Sequence, residues 1–381
     1  MIYVHIPFCR SFCTYCDFYS EVASRCSVDE QKKFGLFAQA LSCEAALRAG
    51  EITDEVNTLY IGGGTPSVLP LDVFSHLLKV LEEHGVKGRF REFTVEVNPE
   101  DIVQKGEAYV KGLVELGVNR ISMGVQSFDD GILRWMNRRH DSATAREAYR
   151  ILEDAGVQNI SIDLIFGLSQ LSDDQWNETL DKALEISSKG VLPQHISAYQ
   201  LSVEPGSALA QLVDRGQWSE ASEELCSKQY EMLCGRLREA GYHHYEISNF
   251  AQPGYEAVHN SAYWTHKPYV GLGPGAHSYM SNVRQWNEPD LVKYVEAAGS
   301  GDFSKVQGSE ELTPEQLVME KVMLGLRTAK GVSEELLRAN CDVAQVDEAL
   351  KCGNLVQMSG GMVRIPEDRF FISDSIISSI I

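Results

Sequence analysis

The sequence has no apolar run of about 18 residues, the length that a membrane-spanning helix needs. It also has no N-terminal segment with a basic flank, an apolar core and a small-residue cleavage site. Basic residues are scarce, because 34 Lys and Arg stand against 54 Asp and Glu, for a formal net charge of -20. Such a charge repels phosphate backbones and anionic lipid head groups. We therefore expect a cytoplasmic protein that does not bind nucleic acid and contacts a membrane only indirectly, through a protein partner.

The sequence also lacks the paired cysteines of a disulfide framework. The chain has nine cysteines, an odd number, and most of them are scattered: Cys26, Cys43, Cys226, Cys234, Cys341 and Cys352. This distribution argues against a secreted, disulfide-bonded scaffold. The other three, Cys9, Cys13 and Cys16, form a C-x3-C-x2-C motif and need a different explanation. We call them the cysteine triplet.

Short apolar runs alternate with helical patterns over the first half of the chain. The strand candidates are residues 2–6, 57–61, 92–97, 120–125, 160–166 and 195–201. Helical periodicity separates them, and S-D-D-Q at 172–175 has the form of a capping box. Helices between apolar strands are typical of a parallel sheet covered by helices. The pattern predicts an α/β fold, a partial (β/α)6 barrel, with its function at the C-terminal strand ends.

The second half of the chain has a different pattern. It contains a long helix candidate at 219–241, and a segment at 254–279 that is rich in Gly, His and aromatic residues and is predicted to be a functional loop. Three helix candidates and a hairpin follow, at 314–329, 333–340, 343–352 and 356–365. Three helices and then a hairpin predict a smaller, mainly helical, winged-helix-like domain at the C-terminus.

The cysteine triplet has several chemical interpretations. A structural zinc site requires four ligands, usually as two C-x2-C pairs, and no second pair occurs here. A redox pair would use Cys13 and Cys16 but would leave Cys9 without a role. A cluster of four irons held by three cysteines would keep one iron open to a non-protein ligand. Unrelated thiols, or zinc with a distant fourth ligand, are further alternatives.

Polar and glycine-rich motifs follow successive strand candidates. I-G-G-G-T-P at 61–66 permits close backbone approach to a ligand. E-V-N-P at 96–99 places a carboxylate at the end of the third strand, where a ribose or an ammonium group would be a suitable partner. Gln126 ends the fourth strand, and Asp163 lies inside the fifth, an awkward place for a charge without a partner. Their shared location indicates one site.

The triplet, with Tyr15 before its last cysteine, resembles the cluster motif of the radical S-adenosylmethionine (SAM) enzymes. In that family a 4Fe–4S cluster binds SAM at its open iron, and an electron from the cluster cleaves the sulfonium. H-I-P-F-C, G-G-G-T-P-S, E-V-N-P, S-M-G-V-Q-S-F and D-L-I-F-G-L, in this order, are similar to motifs of the HemN/HemW group. That group comprises oxygen-independent coproporphyrinogen III dehydrogenases and haem chaperones.

The resemblance implies a set of site residues. Cys9, Cys13 and Cys16 would bind the cluster. The SAM contacts would be Tyr3, Tyr15, Gly63, Gly64, Thr65, Glu96, Gln126, Arg138 and Asp163. It also implies three regions: a radical SAM core at 1–235, a connecting region at 236–305, and a domain like the C-terminal domain of HemN at 306–381.

Three features favour the chaperone branch of this group. The cluster motif of the dehydrogenases resembles C-x3-C-x2-C-x-C, and Phe18 stands here in place of the fourth cysteine. We also expect no room before Cys9 for the N-terminal extension of the dehydrogenases. Third, residues 259–264 contain H-N-x-x-Y-W, a motif associated with HemW-type haem chaperones. Its members His259, Asn260, Tyr263 and Trp264 are the haem-binding candidates, while His277, His243 and His244 are rival ligands.

The leading hypothesis is a haem chaperone that carries a 4Fe–4S cluster and SAM, with haem as its cargo. The resemblance then implies two kinds of protein partner, recipient haemoproteins and an electron donor to the cluster. It also implies that the chain forms a homodimer. The alternative is an enzyme that catalyses the SAM-dependent oxidative decarboxylation of coproporphyrinogen III to protoporphyrinogen IX. A radical SAM enzyme acting on RNA is disfavoured by the acidity. No catalytic residue is assigned, and the sequence does not decide whether SAM is cleaved or only bound.

Overall fold

The structure, a computed structural model, describes residues 1–23, 27–52, 57–86 and 89–381, with only the backbone described at residues 27 and 28. Cys26 lies outside the described residues, so its exclusion from the cluster stays a prediction.

The first part of the chain alternates strands and helices. Its strands are β1 (Ile2–Ile6), β2 (Phe8–Cys9), β3 (Glu21–Val22), β4 (Thr58–Gly63), β5 (Glu92–Val97), β6 (Arg120–Gln126), β7 (Ile160–Phe166) and β8 (His195–Gln200). Its helices are α1 (Ser27–Arg48), α2 (Leu71–Glu83), α3 (Pro99–Glu115), α4 (Asp130–Trp135), α5 (Ser142–Asp154), α6 (Asp173–Leu184), α7 (Ala208–Asp214) and α8 (Glu223–Glu239).

Six of these strands form a parallel sheet in the order β1-β4-β5-β6-β7-β8. Their side chains are almost entirely buried, because helices cover the sheet and the strands line a shared core. The predicted α/β fold with a parallel sheet is confirmed. The capping box is present at the start of α6, where Ser172 and Gln175 exchange hydrogen bonds.

The second part of the chain adds further strands and helices. The strands are β9 (His243–Glu246), β10 (Asn249–Ala251), β11 (Val270–Leu272), β12 (His277–Met280), β13 (Val283–Asn287), β14 (Gln307–Glu311), β15 (Val332–Ser333), β16 (Val356–Gln357) and β17 (Met362–Arg364). The helices are α9 (Val258–Tyr263), α10 (Leu291–Ser300), α11 (Pro314–Leu326), α12 (Glu334–Asn340), α13 (Val343–Lys351) and α14 (Ser373–Ile380).

The segment predicted to be a loop, 254–279, is partly regular. It contains α9, and β11 extends the main sheet by pairing in parallel with β1, Ile2 opposite Val270. At the other edge β10 and β9 add two antiparallel strands beside β8. The loop interpretation was wrong here because strands of three residues are too short to show a period of two.

The C-terminal region has the predicted order of helices and hairpin. Helices α11, α12 and α13 come first, and β16 and β17 then pair with β15 in a small antiparallel sheet. Helix α14, which the sequence analysis missed, packs against α11 and α13. None of the helices in the described part of the chain is both long and apolar enough to cross a bilayer.

Candidate functional site

The cysteine triplet lies on a loop that is fastened to the barrel by its backbone. Cys9 ends β2, and Cys13 and Cys16 follow in the turn after it. Between them, the Thr14 amide donates to the Met136 carbonyl at 3.0 Å, and the Thr14 carbonyl accepts from the Leu209 amide at 2.8 Å. The loop is therefore held by contacts to α4 and α7 that do not involve the thiols.

All three thiols line one cavity of about 590 Å³. Burial raises the pKa of Cys9, and it raises the pKa of Cys16 to about 12. The partly buried Arg138 guanidinium donates to the Cys13 sulfur at 3.5 Å. A metal centre that bound Cys9 and Cys16 would therefore have to stabilise their thiolate form against this burial.

The geometry does not favour a single metal ion. Across the described residues, no three His, Cys, Asp or Glu side chains are arranged to hold one ion. A zinc site needs four donors at about 2.0–2.3 Å from one point. Three thiols that line one cavity without converging on one point are compatible with an iron–sulfur cluster, which is held at several irons rather than at one.

The glycine-rich motif brings backbone beside the triplet. The Gly64 amide donates to the Ile6 carbonyl at 2.8 Å, and the Thr65 amide to the Phe8 carbonyl at 2.7 Å. A Cβ atom on Gly64 would lie 2.7 Å from the Phe8 carbonyl oxygen and 3.1 Å from the Cys9 sulfur. Glycine is therefore required at position 64 by the close approach of β4 to the cysteine loop.

Glu96 stands at the end of β5 and faces the same cavity. It accepts hydrogen bonds from the Tyr60 hydroxyl at 2.6 Å and from the Gly63 amide at 3.1 Å. Burial raises its pKa to about 7, and the hydrogen bond from Tyr60 opposes this only in part. The carboxyl is thus fixed in orientation and sensitive to a cation that enters the cavity.

Gln126, Arg138 and Asp163 complete the polar wall. Gln126 has a left-handed φ of 67°, and the register of β6 against β7 shifts between Gly124 and Gln126. A bulge with strained backbone at a strand end is a common feature of functional sites. Arg138 donates to the Asn98 side chain at 2.8 Å, while its buried Nε has no hydrogen-bond partner in the described residues. Asp163 accepts from Ser122 at 3.1 Å, and burial raises its pKa.

The cavity thus brings together the cysteine triplet and the implied SAM contacts except Tyr3. Tyr15, Gly63, Gly64, Thr65 and the polar wall line it, whereas Tyr3 does not. The Tyr3 hydroxyl lies 3.1 Å from His5 Nδ1 instead. Residues that the sequence analysis missed also line the cavity: Tyr60, Asn98, Ser122, Ser197, Tyr199 and Gln200. Their positions on or just after the predicted strands were the sequence feature from which they could have been predicted.

A second cavity of about 420 Å³ adjoins the first. Its wall includes three of the haem-binding candidates, Asn260, Tyr263 and Trp264. Asn260 and Tyr199 line both cavities, so they form a shared wall. Leu324 of α11 also lines the second cavity, which therefore lies between the barrel and the C-terminal helices.

His259 lines neither cavity. Its side chain is fully buried, with Nδ1 2.9 Å from the Thr58 hydroxyl and Nε2 2.9 Å from the Tyr263 hydroxyl. The Glu92 carboxylate accepts from the His259 and Val258 amides at 2.8 and 2.7 Å, and so it caps the start of α9. Burial lowers the pKa of His259 to about 3. In this arrangement His259 anchors α9 to the sheet.

The rival histidines do not line either cavity. His277 is exposed and stacks on Trp286 with ring centroids 6.0 Å apart. His243 is also exposed, whereas His244 is buried and stacks on Phe250 at 4.1 Å. Burial lowers the pKa of His244 to about 4. The structure therefore places none of these three histidines where it could bind a ligand in either cavity.

The parallel sheet and its cysteine-lined cavity are those of the radical SAM class, and the family model described as Radical SAM superfamily matches residues 3–183. The chain is 33% identical over 337 residues to the heme chaperone HemW of Bacillus subtilis, covering 87% of this chain and 84% of that protein. It is 32% identical over 381 residues to the heme chaperone HemW of Mycobacterium tuberculosis, covering 100% of this chain and 94% of that protein. The chain therefore belongs to the HemW family.

A vertebrate relative and a solved structure are also similar to this chain. The mitochondrial radical S-adenosyl methionine domain-containing protein 1 of Danio rerio is 30% identical over 382 residues, covering 97% of this chain and 82% of that protein. The structure of the coproporphyrinogen III oxidase HemN from Escherichia coli superposes with a TM-score of 0.81 at 22% identity, covering 99% of this chain and 89% of that chain. At this identity the likeness establishes a common fold.

Proposed function

We propose that this protein is a haem chaperone that carries a 4Fe–4S cluster on Cys9, Cys13 and Cys16 and SAM beside it. The observation that carries the proposal is the pair of adjoining cavities. One is lined by the triplet and the glycine-rich strand end, and the other by the aromatic members of the H-N-x-x-Y-W motif. The heme chaperone name of the relatives supports the same function.

The residues of the first cavity fit the cluster and SAM. Gly63, Gly64 and Thr65 line the cavity together with the triplet, where the amino group of SAM would be held. Glu96 would accept from a ribose hydroxyl or an ammonium group, because its carboxylate is oriented and desolvated. Arg138 would balance the charge of the Cys13 thiolate. When bound, the cluster and SAM would supply one-electron chemistry to this cavity.

The aromatic lining of the second cavity supports haem as the cargo. Tyr263 and Trp264 offer flat apolar surfaces on which a macrocycle can stack. Haem would leave this cavity for a recipient haemoprotein, and an electron donor would serve the cluster. The decarboxylation of coproporphyrinogen III is the less favoured function, since the position of the fourth cysteine of those enzymes is occupied by Phe18, which is 65% exposed.

Anaerobic titration with haemin tests this proposal directly. The reconstituted protein is expected to give a Soret band that saturates at one equivalent and to transfer haem to an added apo-haemoprotein. The same preparation, supplied with coproporphyrinogen III, SAM and a reductant, is expected to form no protoporphyrinogen IX. Rapid turnover of that substrate, or no saturable haem binding, would overturn the chaperone function.

Two further features stay predictions. The division into regions 1–235, 236–305 and 306–381 stays a prediction, and limited proteolysis near residue 305 would test its last boundary. A homodimer is expected from the HemW-like motifs, and sedimentation of the reconstituted protein would detect it.

A further inference from the structure

Asn98 is the residue before α3, and its side chain does not have the usual role of an asparagine in that position. Such an asparagine normally accepts a hydrogen bond from an amide in the first turn of the helix. The Asn98 side chain makes no bond of this kind to α3, all of which the structure describes. Its Oδ1 accepts instead from Arg138 Nη2 at 2.8 Å, and its Nδ2 donates to the Thr65 hydroxyl at 3.3 Å. Capping of α3 therefore does not explain this side chain.

Each of these two partners reaches a thiol of the cysteine triplet. Arg138 Nη1 donates to the Cys13 sulfur at 3.5 Å, and the Thr65 hydroxyl lies 3.3 Å from the Cys9 sulfur. Arg138, Asn98 and Thr65 thus form a continuous row of hydrogen bonds between two thiols. We call these three residues the donor network. All three line the first cavity.

The direction of each bond in the donor network follows from the chemistry of its members. A guanidinium can only donate, so Asn98 must turn its carbonyl oxygen to Arg138 and its amide nitrogen to Thr65. The Thr65 oxygen accepts that bond, which leaves its own hydrogen for Cys9. A cysteine that binds iron is a thiolate without an S–H group, so it can only accept. The network therefore directs two donors, one of them positively charged, at two thiolates.

Donors at the sulfurs affect how readily an iron–sulfur cluster accepts an electron. Reduction adds negative charge to the cluster. Hydrogen bonds and positive charges at its sulfur atoms therefore stabilise the reduced form more than the oxidised form. Loss of such a donor lowers the reduction potential.

We infer that Asn98 is a positioning residue that sets the reduction potential of the cluster, by holding Arg138 on Cys13 and the Thr65 hydroxyl on Cys9. The inference rests on the proposed function, because it requires a 4Fe–4S cluster on the cysteine triplet. It adds a role toward the cluster to Arg138 and Thr65, for which the resemblance implies SAM contacts.

The test is a redox titration of the reconstituted full-length protein without SAM, followed by the EPR signal of the reduced cluster. Thr65→Val removes the hydroxyl at nearly constant shape. It is expected to lower the ratio of reduced to oxidised cluster at a fixed potential by about threefold to tenfold, where tenfold is about 59 mV for one electron. Thr65→Ser is the matched control, because it keeps the hydroxyl and should keep the wild-type midpoint potential.

Asn98→Asp tests the positioning itself. The new carboxylate still accepts from Arg138 but cannot donate to Thr65, so the Thr65 hydroxyl turns to it and leaves Cys9. We expect a fall in potential, to which the added charge also contributes. In a Thr65→Val background only the charge acts, so Asn98→Asp should lower the potential less there than in wild type. Asn98→Ala, which leaves Arg138 and the Thr65 hydroxyl unheld, should also lower it and replaces Asn98→Asp if that variant holds no cluster.

The outcomes separate the two proposals. If wild type assembles no 4Fe–4S cluster, the proposed function itself fails. If wild type assembles the cluster but the Thr65→Val and Asn98 variants keep its midpoint potential, the inference is overturned while the function stands. Equal falls for Asn98→Asp in the two backgrounds also overturn it, because Asn98 then does not act through Thr65.

Discussion

Replacing Gly64 by Ala would probe the closest contact between the barrel and the cysteine loop. The new Cβ atom would lie 2.7 Å from the Phe8 carbonyl, 2.9 Å from the Ile6 carbonyl and 3.1 Å from the Cys9 sulfur. Two of these neighbours are backbone atoms that themselves accept hydrogen bonds from Gly64 and Thr65, so they cannot move aside independently. Overpacking of this kind costs about 1–3 kcal/mol. The strain is relieved most easily by displacing the cysteine loop.

Iron content and absorbance after anaerobic reconstitution are the assays, together with SAM affinity and thermal unfolding. We expect Gly64→Ala to unfold at a lower temperature, to retain less cluster, and to bind SAM about tenfold or more weakly, which corresponds to about 1.4 kcal/mol. Gly235→Ala is the matched control, because a Cβ on Gly235 in α8 would meet nothing within 4 Å. In a helix that change stabilises by about 0.5–1 kcal/mol. A Gly64→Ala protein with full cluster and unchanged SAM affinity would refute the reasoning.

Three other predictions concern the same two cavities. Alanine at any position of the cysteine triplet should abolish the cluster absorbance, whereas Cys226→Ala in α8 should keep it; retention in a triplet variant counts against the assignment. The pKa of Glu96, raised to about 7 in the folded protein, is about 4.3 in an unfolded chain. Its contribution to stability is therefore present below about pH 4 and lost as the pH rises through about 7. Glu96→Gln should flatten that part of the SAM-free stability curve, and an unchanged slope would contradict the burial argument. His259→Gln should lower the free energy of unfolding by about 1–3 kcal/mol but leave the Soret maximum in place, and a shifted maximum would indicate iron ligation.

The parallel sheet was predictable because each strand is a buried apolar run with a helical pattern after it. The prediction for β4 stopped at residue 61, two residues early, since glycine has little strand preference. Gly62 and Gly63 nevertheless continue the ladder opposite His5 and Ile6. The cavity lined by the triplet was predictable for a related reason, as parallel strands bring their C-terminal ends to one edge.

The second cavity could not be predicted, because its wall comes from distant parts of the chain. Tyr199 is the last residue but one of β8, Glu246 ends β9, and Leu324 belongs to α11. The environment of His259 could not be predicted for the same reason, since its partner Thr58 is 201 positions away in the sequence. A local motif identifies these residue types but not which of them faces a cavity.

The fastening of Thr14 to Met136 and Leu209 has a consequence for how the protein matures. A loop that is tied down by its own backbone does not need iron in order to find its shape. We therefore expect that a cluster can be assembled on the folded chain, and rebuilt there after loss, without the chain having to unfold.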